Sequence, residues 1–350
     1  MFDIYKGKNI FVTGHTGFKG AWLCQTLINM GANVTGYSLE APTNPSLFHI
    51  MNLEQEMNSV IGDIRDFDKL NQEMAKAKPE FVFHLAAQPI VRESYKNPRY
   101  TYETNVMGTV NILESIRNTT GVRSFVNITT DKVYENHELQ RGYREDEPLD
   151  GDDPYSNSKS CSELVTHSYK KSFFNGRETA ISTARAGNVI GGGDFAVDRI
   201  IPDCVRAVMD KKCMMIRNPN SVRPYQHVLE PVFAYLLIAA KQYDHPELAG
   251  YYNVGPDESD CITTEQLVSL FAKAWGEFEW NMKQDDGPNE TTYLKLDNSK
   301  IKEVFGWTPR WNITQAIEKT VDWTKEWLEG KSIRNCMDVQ ILEYIGEVNE

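Results

Sequence analysis

The apolar, β-forming stretch Asn9-Ile10-Phe11-Val12-Thr13 runs straight into Gly14-His15-Thr16-Gly17-Phe18-Lys19-Gly20, and a helical segment follows over 21–30. A strand that becomes a helix through a glycine turn is the opening unit of a doubly wound sheet. Gly14 permits the tight turn, Gly17 lets a pyrophosphate approach the backbone, and Gly20 lets helix and strand pack closely. The helix start then offers unpaired N–H groups and a positive dipole end to phosphate. A glycine triplet alone often marks only a turn. Here the strand before it, the helix after it and the βα series behind it favour a dinucleotide site.

That series is visible as β-rich runs at 33–37, 58–62, 80–86, 123–129 and 179–184, alternating with helical patterns at 19–30, 66–77, 99–118 and 155–174. The alternation predicts a parallel sheet with helices on both faces, an α/β Rossmann-type doubly wound fold. Beyond residue 186 the rhythm breaks in the glycine-rich run Gly187–Asp194. Later helices are expected at 229–243, 263–275 and 313–329. The expected division is a dinucleotide-binding part over 1–186, with segments near 225–250 returning to it, and a smaller mixed substrate-binding part over 187–350.

Composition narrows the function. The 350 residues carry 37 Lys and Arg against 49 Asp and Glu, a net charge of −12, which argues against a nucleic-acid binder. The six cysteines are scattered without a CxxC pair, and Met1–Lys6 lacks the apolar core of a signal peptide, so a cytoplasmic chain with no membrane role is expected. The histidines show no metal-ligand spacing, and no metal is expected. No Lys or Arg lies between Val34 and Phe48 to meet a 2′-phosphate, which favours NAD over NADP; Glu40 lies slightly late to hold the ribose. Asp63, before Ile64, is placed to accept from the adenine amino group, although a helix cap near Asp66 competes for this acidic turn.

Asp153-Pro154-Tyr155 has a helix-start signature, and Tyr155 and Lys159 then lie one turn apart on one face. A lysine beside a phenol lowers the phenol pKa from about 10, making Tyr155 a usable base. A YxxxK alone is usually a solvated helix face; this one follows a phosphate loop and a strand that ends in Thr129-Thr130-Asp131-Lys132. Strand ends face the ligand crevice in such sheets, so Thr130 is expected beside Tyr155. Asp131 and Lys132 add an acid–base pair that alcohol oxidation does not need, unless they are merely an ion pair capping a loop.

The glycine loop, the Thr130/Tyr155/Lys159 trio and Asn105 in Thr104-Asn105-Val106 resemble the extended short-chain dehydrogenase/reductase superfamily. Within it, the 41–48 stretch Ala41-Pro42-Thr43-Asn44-Pro45-Ser46-Leu47-Phe48, together with His84-Leu85-Ala86-Ala87-Gln88-Pro89, Arg185–Asp194, Arg217-Asn218-Pro219, Arg223–Val228 and Tyr293–Asp297, resembles the CDP-glucose group of nucleotide-sugar 4,6-dehydratases. The resemblance implies oxidation at C4 by Tyr155 with bound NAD, loss of water across C5 and C6, and return of the hydride to C6. It makes Asp131 the acid for the leaving hydroxyl and Lys132 the C5 base. It places His15 and the rest of the glycine loop, Asp63, Ile64, Leu85, Ala86, Ala87, Tyr155 and Lys159 on NAD. Gln88, Asn188, Arg199, Arg217, Arg223 and His227 fall to a nucleotide-sugar substrate, with CDP-glucose expected. It also implies a homodimer through the helices at 99–118 and 155–174. The alternatives are a 4-epimerase or a dehydratase for another nucleotide sugar, and, from a different class, a non-catalytic dinucleotide-binding regulator.

Overall fold

Seven strands, β1 (Asn9–Thr13), β2 (Asn33–Ser38), β3 (Asn58–Ile61), β4 (Phe81–His84), β5 (Ser124–Ile128), β6 (Ala180–Ala186) and β7 (Tyr251–Val254), form one sheet in the order β7-β6-β5-β4-β1-β2-β3. Every pairing in it is parallel. The structure is a computed structural model that describes residues 2–276, 278–282 and 293–349. After β3 the chain crosses back over β1 to place β4 on its other side. The loops after β1 and β4 therefore diverge, and a crevice opens at the carboxyl ends of these strands.

Side chains alternate across the strands. Ile10 and Val12 face α1 (Phe18–Asn29), while Phe11, Val82 and Phe125 face α2 (Phe67–Ala77), α3 (Gly108–Asn118) and α4 (Pro154–Phe173). All residues of β4 and β5 are buried, as strands covered on both faces should be. Beyond β6 come α5 (Ile200–Met209), α6 (Leu229–Asp244), α7 (Thr264–Trp275) and α8 (Ile313–Leu328). Helix α6 is buried along 14 of its 16 residues and packs on the α1 side of the sheet, and β7 follows it into the sheet edge. Helices α5, α7 and α8 enclose a second apolar cluster that includes Ile201, Leu267, Phe271 and Ile317.

Several elements, β7 among them, had no forecast, and two departures shape the packing around the sheet. The single helix expected over 99–118 is broken into Pro98–Tyr102, a π-turn Glu103–Met107 and α3. The extra residue in a π-turn turns a side chain out of helical register, and here Asn105 is directed inward, 1% exposed. The other is a final helix, α9 (Ile333–Asn349), with no forecast from periodicity. It returns to the first half of the chain. Tyr344 stacks on Phe233 at 4.6 Å, and Asp338 accepts from Gln25 and Asn29 at 3.0 and 2.8 Å. Among the described residues no helix is long and apolar enough to cross a membrane.

Candidate active site

The crevice at the strand ends is a cavity of about 690 Å³, lined by both halves of the chain. Its floor begins at the glycine turn. Gly14 has φ +79°, and a Cβ there would stand 2.8 Å from Ala86 N; a Cβ on Gly20 would stand 2.1 Å from Gly14 O. Only hydrogen at these positions lets β1, the β4 loop and α1 meet. Gly17 caps α1 without a side-chain acceptor, so the first N–H groups of the helix stay available to a ligand. Gly14, Thr16, Gly17, Phe18, Lys19 and Gly20 line the cavity. His15 does not. Its ring is buried against Phe48 at 5.2 Å and pairs with Ser59 Oγ at 2.8 Å; burial draws its pKa down to about 4. The side chain packs in the core, apart from the cavity wall that the rest of the loop forms.

Tyr37, Ser38, Leu39, Glu40, Asp63 and Ile64 line one end of the cavity. The competition between Asp63 and Asp66 is resolved by the chain. Asp66 caps α2 through Lys69 N (3.1 Å), while Asp63 holds Arg65 at 2.6 Å, which keeps its carboxyl below the usual range. Leu85, Ala86, Ala87 and Gln88 follow β4 along the wall. Asn105 braces this segment: its Oδ1 accepts from Gln88 N (2.8 Å) and its Nδ2 donates to Gln88 O (3.1 Å).

On the opposite wall, Asp153 caps α4 by accepting from Tyr155 N at 2.9 Å and Ser156 N at 3.0 Å. That cap fixes where Tyr155 leaves the helix. Lys159, one turn on, donates to Ile128 O at the end of β5 (3.2 Å). Thr130, Asp131, Lys132, Tyr155 and Lys159 all line the cavity. Burial pushes the Tyr155 phenol up to about 12, with a hydrogen bond to or from the Thr130 hydroxyl opposing. This corrects the expected sign: loss of water around the ring outweighs the help of nearby cations. Burial likewise draws Lys159 down to about 8, with Glu163 opposing. Asp131 is 2% exposed, and burial raises its carboxyl pKa against Lys132, Thr130 and Arg223.

Asn188, Arg199, Arg217 and Arg223 reach the same cavity from the second half. Arg199 is oriented by Asp194 (2.9 Å), and Arg217 by Asp198 (3.2 Å). Sequence reasoning missed both aspartates; the signal for Asp194 was its place directly after Gly191-Gly192-Gly193. His227 does not line the cavity, contrary to expectation. It is fully buried between Trp22 and Trp311, with ring centroids 5.8 and 4.9 Å away, and its Nδ1 accepts from Leu229 N. Both residues of the short strand Gln226–His227 are buried, and neither side chain reaches the cavity.

The chain has relatives in sequence and in fold. A family model described as GDP-mannose 4,6 dehydratase matches residues 11–320. The CDP-glucose 4,6-dehydratase of Salmonella typhimurium is 47% identical over 350 residues, 98% of each chain. The UDP-glucose 4-epimerase of Mycolicibacterium smegmatis is 27% identical over 317 residues, covering 89% of this chain and 96% of that one. Among solved structures, the UDP-glucose 4-epimerase of Thermotoga maritima superposes with a TM-score of 0.78 over 91% of this chain and 99% of its own, at 24% identity, a likeness of fold. Because the family match runs from the first strand into α8, and a relative almost half identical covers nearly all of both chains, this protein belongs to the GDP-mannose 4,6-dehydratase family.

Proposed function

We propose that this chain is an NAD-dependent lyase that converts CDP-glucose to CDP-4-keto-6-deoxyglucose. One observation carries the reading: a phenol, a hydroxyl, an amine and a carboxyl of raised pKa converge in one cavity on a glycine turn. The identity to the Salmonella CDP-glucose 4,6-dehydratase supports the choice of substrate.

The glycine turn fits a dinucleotide, since a Cβ at Gly14 or Gly20 would break the close approach that shapes the cradle. Gly14, Thr16, Gly17, Phe18, Lys19 and Gly20 would hold the pyrophosphate. Asp63 and Ile64 would meet the adenine end, and Leu85–Ala87, Tyr155 and Lys159 the nicotinamide half. Bound NAD supplies a reversible hydride acceptor, which leaves the conversion redox-neutral. Tyr155 Oη takes the proton of the C4 hydroxyl, with Thr130 donating to the oxygen and Lys159 contributing positive charge. The C4 ketone acidifies C5–H, and Lys132 Nζ removes that proton and later returns one to C5. Asp131 gives its proton to the C6 hydroxyl, which leaves as water. Arg223, with Asn188 and Arg199, binds the diphosphate through permanent charges and neutral donors. Arg217 and Gln88 complete the substrate contacts.

We also infer a homodimer through the outer faces of the helical segments at 99–118 and 155–174, where Met107, Leu164 and Phe173 are exposed. The six free thiols fit a reducing cytoplasm. The two-part division, 1–186 for cofactor and 187–350 mainly for substrate, is retained as part of this reading, with α6, β7 and α9 returning to the first part. The test is incubation with CDP-, dTDP-, UDP- and GDP-glucose and catalytic NAD. Loss of one water from the CDP sugar, read by mass, is expected; an unchanged mass with all four overturns the reading. An alkali-sensitive chromophore separates a keto product from an epimer.

A further inference from the structure

Beneath the catalytic wall lies a buried polar layer that the reaction as written leaves untouched. Glu163 stands on α4 one turn beyond Lys159 and is 1% exposed. Its Oε1 accepts a hydrogen bond from Thr129 Oγ1 at 2.5 Å, and Thr129 directly precedes Thr130. Its Oε2 accepts from Thr183 Oγ1 at 2.7 Å and Arg185 Nη2 at 3.0 Å, both on β6. Arg185 is itself buried and donates onward to Tyr134 Oη (2.8 Å) and Glu145 O (3.1 Å). Tyr134 Oη in turn donates to Asn253 Oδ1 on β7 at 2.6 Å.

Three donors thus converge on two oxygens, one donor being a guanidinium. A carboxylate satisfies that set; an amide would turn an N–H toward another donor. Buried ion pairs add little stability compared with apolar packing of the same shape. The pair therefore calls for another reason, and its position supplies one. The carboxylate joins the end of β5, which carries Thr130 and Asp131, to the helix that carries Tyr155 and Lys159.

We infer that Glu163 is a positioning residue of the dehydratase site: it locks the Thr130–Asp131 strand end against the Tyr155–Lys159 helix and sets a negative charge one turn from the Lys159 ammonium. This inference rests on the dehydratase reading. The groups around the two charges are few. Glu163 faces Arg185 on β6, Tyr134 after β5 and Tyr251 on β7. Lys159 faces Lys19 on α1, His84 on β4 and Glu163 on its own helix. Lys19 is itself drawn down by burial, and Glu163 is the opposing influence that favours the charged form of Lys159.

Two variants test the role in the holoenzyme. Glu163→Gln keeps the shape and removes the charge; Thr129→Val keeps the charge and removes one donor. For Glu163→Gln, kcat is expected to fall roughly 10- to 100-fold with little change in KM. Without the carboxylate, Lys159 loses its proton at lower pH, so the limb of the kcat profile that Lys159 governs moves to lower pH. For Thr129→Val, kcat falls while that limb stays at its wild-type position. A folded Glu163→Gln enzyme with wild-type kcat and profile overturns the inference. If that variant does not fold, Thr129→Val decides, and wild-type kcat there overturns it. Wild-type protein that never loses water from a nucleotide sugar overturns both this inference and the reading beneath it; active wild type with unaltered variants overturns this one alone.

Discussion

Thr130 Oγ1 donates a 2.9 Å hydrogen bond to Oδ1 of Asp131, while Oδ2 of the same carboxyl is buried without a partner among the described residues. Gly187 makes the room on that side, since a Cβ there would lie 3.1 Å from Oδ2. One oxygen is held and the other is open in a site whose burial favours the neutral acid. This arrangement supports the proposed role of Asp131 as the proton donor.

Asp131→Asn keeps the shape and the bond from Thr130 but has no acidic proton to give. Dehydration should slow by about 10²- to 10⁴-fold. Single-turnover reactions followed by mass check this, and water loss at the wild-type rate would remove Asp131 from the mechanism.

Lys132 lines the cavity beside Asp131. Lys132→Ala should abolish both turnover and the exchange of solvent deuterium into C5. Product NMR in deuterated water reads the exchange directly; normal labelling at C5 in the variant would show that another group is the base.

A hydrogen bond with Thr130 is the chief influence lowering the Tyr155 pKa against burial. Thr130→Val removes it, so the phenol should ionise at still higher pH. In the proposed mechanism the phenolate is the base, so less of it is present at any given pH and activity near neutrality should drop by about tenfold or more. A pH profile superimposable on the wild type would contradict this.

His227 is buried neutral, and burial draws its pKa down to about 3. In the unfolded chain its pKa is about 6.5, so between these values the unfolded state binds the extra proton. The stability this group contributes is complete above about pH 6.5 and is lost as pH falls toward 3, on the order of 5 kcal/mol at the limit. His227→Gln keeps an acceptor for Leu229 N and does not titrate, so its denaturation midpoint should fall less steeply with acid than the wild type's. KM for the nucleotide sugar should stay unchanged, because the side chain lies outside the cavity. A raised KM would restore the substrate role.

The glycine turn, the first six strands to within a few residues, the Asp153-Pro154 helix start and the Tyr155–Lys159 spacing were all legible in the chain. The parts that were not share a cause. Breaking the helix at 103–107 aligns Asn105 with Gln88, a partner 17 residues away. Helix α9 packs on residues more than 100 positions earlier, including Phe233 and Gln25. Asp194 lies close in sequence to Arg199, whereas Asp198 and Arg217 come from separate segments, and both pairs depend on a cavity wall formed by distant parts of the chain.

The amino-acid order by itself determined the turns, caps and periodicities, and with them the order of strands and helices, because each depends on neighbours within about one turn of the chain. The tertiary structure alone decided which side chains lost their water. It turned His15 and His227 into the core, raised Tyr155 where its lysine neighbour suggested lowering, and raised the Asp131 carboxyl. Desolvation is set by everything packed around a group, from every segment at once, and no local pattern in the chain carries that information.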